Sequence, residues 1–240
     1  LAQPQQLGER RDRRLYDSTA TIAAINLAAA LWSLLSSTSD DWFSFDSPSD
    51  ADMHSPAMQR WLQYATKVVR NRLALGNHGF YARVFELYHD LVLFGTGVFY
   101  AEDSDDGLYF ACRHLAECQI AENAQEKVDT VYRRYSLTLR QAAQRWGDSL
   151  PANLARVVDK EPQRRVELLH VVMPSKEWQG NHQISLPFIS LHGLVAEGDL
   201  LGIDGYHEMP YMVPRWASAS YGLYGDSPAM AALADVKMLN

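Results

Sequence analysis

The hydrophobic pattern of this chain changes its period at one place, the Gly-Thr-Gly segment at Gly95–Gly97. Before this segment, apolar residues recur at spacings of three and four, as they do on one face of an α-helix. After it, short runs of β-branched and aromatic residues alternate with Gly, Asn and Pro turn signals, which is typical of strands joined by short connections. The sequence therefore predicts an α+β fold in which N-terminal helices pack on a largely antiparallel sheet.

Three helices are predicted ahead of this change, near residues 18–36, from Pro56 to about 73, and from about 78 to 94. Asp17 and Ser18 provide the N-cap signal of the first helix, which is so uniformly apolar that we expect little of it to face water. The broad apolar surface of the third helix indicates the central core helix. We expect the intervening Trp42–Phe45 segment to be a short strand-like aromatic patch, and residues 47–55 and 76–77 to be a loop and a turn.

Eight strands are predicted after the change, together with short helices over 139–146, capped by Thr138, and over 151–160. The Asp103–Gly107 segment is the turn of a hairpin between the first two strands. The strands are expected at 98–101, 108–113, 118–122, 128–137, 165–173, 184–191, 199–205 and 211–216.

The last thirty residues consist of an extended segment, a loop rich in Gly, Ser and Tyr, and the beginning of a helix. Asp226 or Ser227 can cap this helix, and Pro228 fits its first position, where a missing N–H costs nothing. No Gly or Pro follows the helical pattern before Asn240, so we expect a helix that continues in a longer protein.

Charge and composition exclude several classes of protein. The net charge is −7, and the only basic concentration is Glu9–Arg14, which argues against tight sequence-independent nucleic-acid binding. That run is either a phosphate-contacting arm or a solvated tail. Residues 18–39 are uncharged, but their apolar part is too short and too rich in Ala and Ser to span a membrane. The polar N-terminus predicts no signal peptide, and Cys112 and Cys118 are expected to be reduced, buried thiols of an intracellular product.

The residue patterns offer little support for catalysis. Gly225–Ser227 resembles the nucleophile motif of one esterase family, but there the serine follows an early strand, so the capping role is favoured. The histidines lack a metal-binding register, His89 and Asp90 fit a structural role, and Asp103–Asp106 is too short for a calcium loop. We therefore predict no catalytic, cofactor or metal residues and an assembly protein rather than an enzyme. The alternatives are a hydrolase using Ser227 with a histidine such as His207, or another structural adaptor.

The order of these signals resembles the head-to-tail connector, or portal, proteins of short-tailed bacteriophages of the T7 type. The resemblance rests on segments spread over most of the chain, and residues 138–205 do not contribute to it. The matching segments are Tyr16–Ala20, Asp41–Phe45, Asn77–Phe94 with its exit through Gly95–Tyr100, Tyr109–Ile120, Pro210–Trp216, Tyr224–Pro228 and Ala232–Asn240.

This resemblance implies a subunit of a homo-oligomeric ring, typically of twelve, at one vertex of the virion. Double-stranded DNA passes transiently and non-specifically through such a ring during packaging and ejection, and the partners are capsid and scaffold proteins, terminase and tail proteins. Assembly would take place in the host bacterial cytoplasm, with no membrane involved. Residues 1–14 would be a polar basic arm, 15–226 a wing-like domain, and 227–240 the start of a stem helix whose clip and remaining stem are absent.

An acidic ring subunit with an outgoing helix is consistent with this implication, since an acidic channel releases few counterions on contact with DNA. Aromatic-rich segments are candidate contacts between subunits, although ordinary packing remains an equal alternative for Trp42–Phe43 and Tyr221–Tyr224. The candidate interface or junction residues are Trp42, Phe43, Arg215, Trp216, Tyr221, Tyr224, Gly225, Asp226, Ser227 and Pro228.

Overall fold

The computed structural model describes residues 16–49, 55–74, 79–104, 107–180, 184–218 and 222–239. Three helices come first, as predicted: α1 (Thr19–Leu35), α2 (Pro56–Ala74) and α3 (Phe80–Phe94). The predicted turn at 76–77 lies outside the described residues. The strands that follow are β1 (Val98–Ser104), β2 (Gly107–Arg113), β3 (Cys118–Glu122), β4 (Val128–Thr138), β5 (Arg165–Pro174), β6 (Phe188–Leu194), β7 (Leu200–Tyr206) and β8 (Tyr211–Met212).

The described strands form two antiparallel sheets rather than one. The smaller sheet has the order β2-β1-β8, and the larger has the order β3-β4-β5-β6-β7. Every strand pair is antiparallel, which confirms the α+β class with helices first and a meander afterwards. The predicted first hairpin is present, but its strands extend further than predicted, because Asp103 pairs with Leu108 and Ser104 pairs with Gly107.

The three-stranded sheet lies between the helices and the five-stranded sheet. Alternate residues of β1 point to opposite faces, so each face packs on a different neighbour. Phe99 packs with Val84, Leu87 and Leu91 of α3. Val98 and Tyr100 pack instead with a cluster that includes Val131 and Val172 of the larger sheet. β1 is therefore buried on both sides, and it connects the helical layer to the rest of the protein.

On the face of the larger sheet that meets β1, the remaining area is covered by two short helices, α4 (Leu139–Trp146) and α5 (Ala152–Ala155). α4 begins with the capping box formed by Thr138 and Gln141, as the sequence predicted for Thr138. Leu139, Leu154 and Leu168 form the centre of the core beneath these helices.

Several predicted boundaries are wrong. The strand predicted at 184–191 begins only after Pro187, which has no N–H to donate, and the strand predicted at 211–216 ends at Met212, close to Pro214. The helix predicted over 151–160 ends at Ala155, ahead of β-branched Val157 and Val158. Residues 42–45 form no strand within the described chain, because the Phe45 amide donates to Thr66 Oγ1 on α2 rather than to a neighbouring strand.

The C-terminal helix also differs from the prediction, because it is interrupted at Ala232. It consists of α6 (Pro228–Ala231) and α7 (Leu233–Leu239).

The prediction that little of α1 faces water is wrong. Within α1 only Ala24 and Ala28 are buried, whereas Ile22 is 53% exposed and Leu34 is 81% exposed. α3 covers one narrow face of α1, so the apolar residues on its other faces remain accessible to solvent. Among the described helices, none has the length and apolarity that crossing a bilayer would require.

Candidate functional site

The exit of α3 forms the centre of a compact junction. Gly95 ends the helix in the left-handed conformation, with φ of 71°, and its N–H donates to the Leu91 carbonyl at 3.0 Å. The Gly95 carbonyl accepts from Trp216 N at 2.8 Å, and Gly97 N donates to the Pro214 carbonyl at 3.1 Å. The segment that follows β8 is therefore bound along the Gly-Thr-Gly exit of α3.

A second glycine makes this arrangement possible. Gly95 and Gly225 approach so closely that a Cβ on either residue would collide with the carbonyl oxygen of the other. Gly225 N donates to Thr96 Oγ1 at 2.8 Å, and Thr96 is fully buried. Asp226 N donates to the Ala217 carbonyl at 2.7 Å, so both ends of the loop that leads to α6 are fixed by hydrogen bonds.

Ser227 caps α6 and also attaches it to α3. Its hydroxyl accepts from Met230 N and donates to the Leu93 carbonyl, each at 2.9 Å, and the residue is 4% exposed. Pro228 occupies the first helical position, as predicted. The hydroxyl proton of Ser227 is directed at a backbone carbonyl, and His207 is an exposed residue beyond β7, so this geometry favours the capping role over a nucleophile.

Replacing Ser227 by alanine is expected to lower the free energy of unfolding by about 1 to 2 kcal/mol, because a cap and a bond to Leu93 are both lost. Urea unfolding of the two proteins measures this difference, with Ser227→Thr as the control that keeps a hydroxyl. Turnover of a generic ester by the parent protein, abolished in Ser227→Ala, would instead establish the hydrolase alternative.

Arg215 connects the junction to the larger sheet through an ion pair with Glu122, the last residue of β3. Both side chains are largely buried, with 17% and 19% exposed. Arg215 Nε is buried and has no hydrogen-bond partner, so Glu122 is the partner that compensates the guanidinium charge in the described structure.

The aromatic candidates lie in different surroundings. Trp42 stacks on Phe80 with ring centroids 5.7 Å apart, its Nε1 donates to Tyr81 OH at 3.3 Å, and Phe43 meets it edge-on at 4.7 Å. Both residues are half-buried, so they extend the helical core to the surface.

Trp42 also lines a cleft of about 1200 Å³ that reaches Arg215 of the junction. The other aromatic candidates lie in or beside the junction. Trp216 and Tyr224 are each 40% exposed, and Tyr221 lies outside the described residues.

Sequence reasoning missed two sets of residues. Thr96, Leu93 and Glu122 belong to the junction, but nothing local marks their pairing with residues about a hundred positions away. The second set is an exposed apolar stripe on α2, where Trp61, Tyr64 and Val68 are 62%, 67% and 45% exposed. Trp61, Tyr64 and Val68 follow one another at spacings of three and four, which places them on one face of α2.

The described residues contain no group of three or more His, Cys, Asp or Glu side chains placed to hold a metal ion. Burial raises the pKa of the Cys118 thiol to about 12 and also raises that of Cys112, where Asp90 adds to the effect. The two thiols are therefore protonated and unreactive near neutral pH, and both are free.

Comparison with known proteins identifies the family to which this chain is similar. The family model described as bacteriophage head to tail connecting protein matches residues 1–240. The probable portal protein of Bordetella phage BPP-1 is 27% identical over 246 aligned residues, which cover 100% of this chain and 44% of that protein. The portal protein of Salmonella phage epsilon15 is 27% identical over 242 residues, covering 96% of this chain and 43% of that protein. The chain thus spans less than half the length of these relatives.

Proposed function

Because this chain belongs to the bacteriophage head to tail connecting protein family, we propose that it is part of a portal subunit, as the sequence resemblance implied. In this proposal the subunits form a ring, typically of twelve, at one vertex of the virion, and double-stranded DNA is packaged and ejected through its channel. The ring is assembled in the host cytoplasm and contacts capsid and scaffold proteins, terminase and tail proteins.

The observation that carries this proposal is the junction at Gly95, Gly225 and Ser227. It fixes the start of the last helices to the exit of the core helix through backbone and capping hydrogen bonds. A ring subunit that transmits force between a stem and a wing needs a rigid connection of this kind. We assign residues 1–14 to a basic arm, 15–226 to the wing and 227–240 to the start of the stem.

The charge of the chain supports a channel rather than a DNA-binding function. The net charge is −7 and the one basic run of the sequence is Glu9–Arg14, so the rest of the chain is acidic and DNA can move past it without being held.

The exposed apolar stripes supply candidate lateral contacts of the ring. Neighbouring subunits in a ring meet through two different surfaces of the same chain, which must be complementary. α2 presents Trp61, Tyr64 and Val68, and α1 presents Ile22 and Ile25, 53% and 44% exposed. Exposed apolar residues that recur at helical spacing share one face of their helix, which suits an interaction surface. We assign both helices to contacts between subunits.

Replacing Trp61 by glutamate in the full-length protein is expected to reduce the fraction of subunits in rings at least tenfold, because it places a charge in an apolar contact. Electron microscopy and sedimentation measure the rings. Gln63→Glu, an exposed change on another side of the same helix, is the control and should leave assembly intact.

Two other outcomes are informative. A full-length parent protein that is strictly monomeric would reject the portal proposal and favour another structural adaptor. Rings that persist in Trp61→Glu would reject the α2 contact alone.

A further inference from the structure

A pair of buried histidines lies where the two sheets meet. His170 on β5 and His192 on β6 are direct partners in the strand register, and their rings stack with centroids 4.1 Å apart and planes within 11°. The two residues are 3% and 6% exposed. Leu168, two residues before His170, packs under α4, whereas Val172, two residues after it, packs under β1. The pair therefore lies at the boundary between the part of the larger sheet that packs on α4 and the part that packs on β1.

One hydrogen bond from this pair crosses between the sheets, and a second lies within the larger sheet. His170 Nδ1 is 2.8 Å from the hydroxyl of Tyr211 on β8, and Nε2 is 3.0 Å from Ser190 Oγ on β6. A second link joins the hydroxyls of Tyr100 on β1 and Tyr206 on β7 at 2.8 Å. These links form a polar strip inside an otherwise apolar contact between sheets.

The surroundings of the pair oppose a positive charge. His192 Nδ1 is buried without a hydrogen-bond partner, and the Trp146 ring lies 5.2 Å from its ring. The carboxylates nearby are already engaged, since Glu117 bonds to Arg133 and Glu102 accepts from the Tyr206 hydroxyl. The titratable and charged groups around the pair are Tyr100 and Glu102 on β1, Arg113 on β2, Glu117 and Cys118 beside and on β3, Arg133 and Tyr135 on β4, Arg145 on α4, Tyr206 on β7 and Tyr211 on β8.

We propose that the stacked pair His170–His192 is an acid-sensitive latch, which holds the two sheets together while both rings are neutral and releases them when the rings take up protons. A proton on His170 Nε2 or Nδ1 reorganises the bonds to Ser190 and Tyr211. A proton on His192 places a cation against a ring that is itself surrounded by arginines. The inference depends on these contacts and not on the proposed ring.

The direction of the pH dependence follows from burial. Burial lowers the pKa of His170 to about 2, with His192 and three arginines acting the same way, and lowers that of His192 to about 3. Both values lie below the ordinary value of about 6.5. The stability supplied by the neutral rings is therefore complete above pH 6.5 and is lost as the pH falls towards these lower values. The contact between the two sheets at this pair is called the seam, and its opening takes up two protons in that range.

Cys118 provides a direct probe of the seam, because it is 5% exposed and packs in the same cluster as Tyr100 and Tyr211. In a Cys112→Ala background, its labelling by an acid-tolerant disulfide reagent, divided by the rate for an unfolded thiol, gives the opening constant. We expect this constant to rise nearly 100-fold between pH 5.5 and 4.5, since two protons are bound on opening.

Variants at the pair test the proton count. His192→Phe keeps a stacked ring without a titrating nitrogen, and the rise should fall to about tenfold per pH unit. His207→Gln, at an exposed position, should retain the parent slope. The proposal would be overturned if the opening constant of the parent protein did not change with pH, or if His192→Phe kept the parent slope. Labelling of Cys118 only at the rate of global unfolding would also overturn it.

If His192→Phe does not fold, a measurement on the parent protein still tests the proposal. Imidazole NMR signals should show both rings neutral in the closed protein down to pH 4. Rings that become protonated near pH 6.5 while Cys118 stays protected would overturn the latch.

Discussion

Replacing Gly95 by alanine is expected to lower the free energy of unfolding by about 3 kcal/mol or more, the largest effect of any single substitution proposed for this chain. Two costs combine at this position. A non-glycine residue at φ of 71° costs about 1 to 2 kcal/mol. The new Cβ would also collide with the Gly225 carbonyl oxygen and would lie 2.6 Å from the carbonyl carbon of Asp226, which only movement of the junction can relieve. Urea denaturation of the purified proteins measures the difference.

Two other glycines separate these costs. Gly198 has φ of 74°, but no atom lies within 4 Å of the position that an added methyl group would take, so Gly198→Ala should cost only about 1 kcal/mol. Gly147 has ordinary helical angles and open space, so Gly147→Ala should be neutral or slightly stabilising. Equal losses in Gly95→Ala and Gly198→Ala would show that the close approach of Gly95 and Gly225 is unimportant.

The sequence predicted those features of the fold that depend on local signals. Gly95 ends α3 because only glycine adopts the left-handed cap readily, and the change of hydrophobic period places β1 directly after it. Thr138 and Gln141 form a capping box that can be recognised from the residues alone. The sequence also restricts the N-cap of the last helix to Asp226 or Ser227, and the structure shows that Ser227 is the cap.

Long-range pairing could not be predicted in the same way. The partner of the Ser227 hydroxyl is the Leu93 carbonyl, 134 residues earlier in the chain, and no pattern at either end specifies this contact. The sheets are divided between β2 and β3, which are consecutive but do not pair, and β8 pairs with β1 rather than with β7. A count of strands and turns leaves both choices open.

The exposure of α1 and α2 was missed for a different reason. Hydrophobic periodicity reports that a helix has apolar faces, but it does not distinguish a face buried within the chain from one reserved for a partner. Ala24 and Ile22 both belong to the apolar surface of α1, yet one is 9% exposed and the other 53%.

The second large effect is expected at the ion pair between Arg215 and Glu122. Replacing Glu122 by glutamine leaves the guanidinium of Arg215 largely buried and uncompensated, which should lower the free energy of unfolding by roughly 2 kcal/mol. This is less than the loss for a fully buried pair, because both side chains retain some contact with solvent.

An exposed ion pair in the same sheet serves as the control for this substitution. Arg134 and Glu167 are 62% and 52% exposed, so Glu167→Gln should change the free energy of unfolding by less than about 0.5 kcal/mol. Combining Glu122→Gln with Arg215→Met should recover part of the loss, since the buried charge is then removed as well. If the double variant loses the sum of the two single losses, Arg215 stabilises the junction through its packing alone, and the connection between the junction and β3 is not electrostatic.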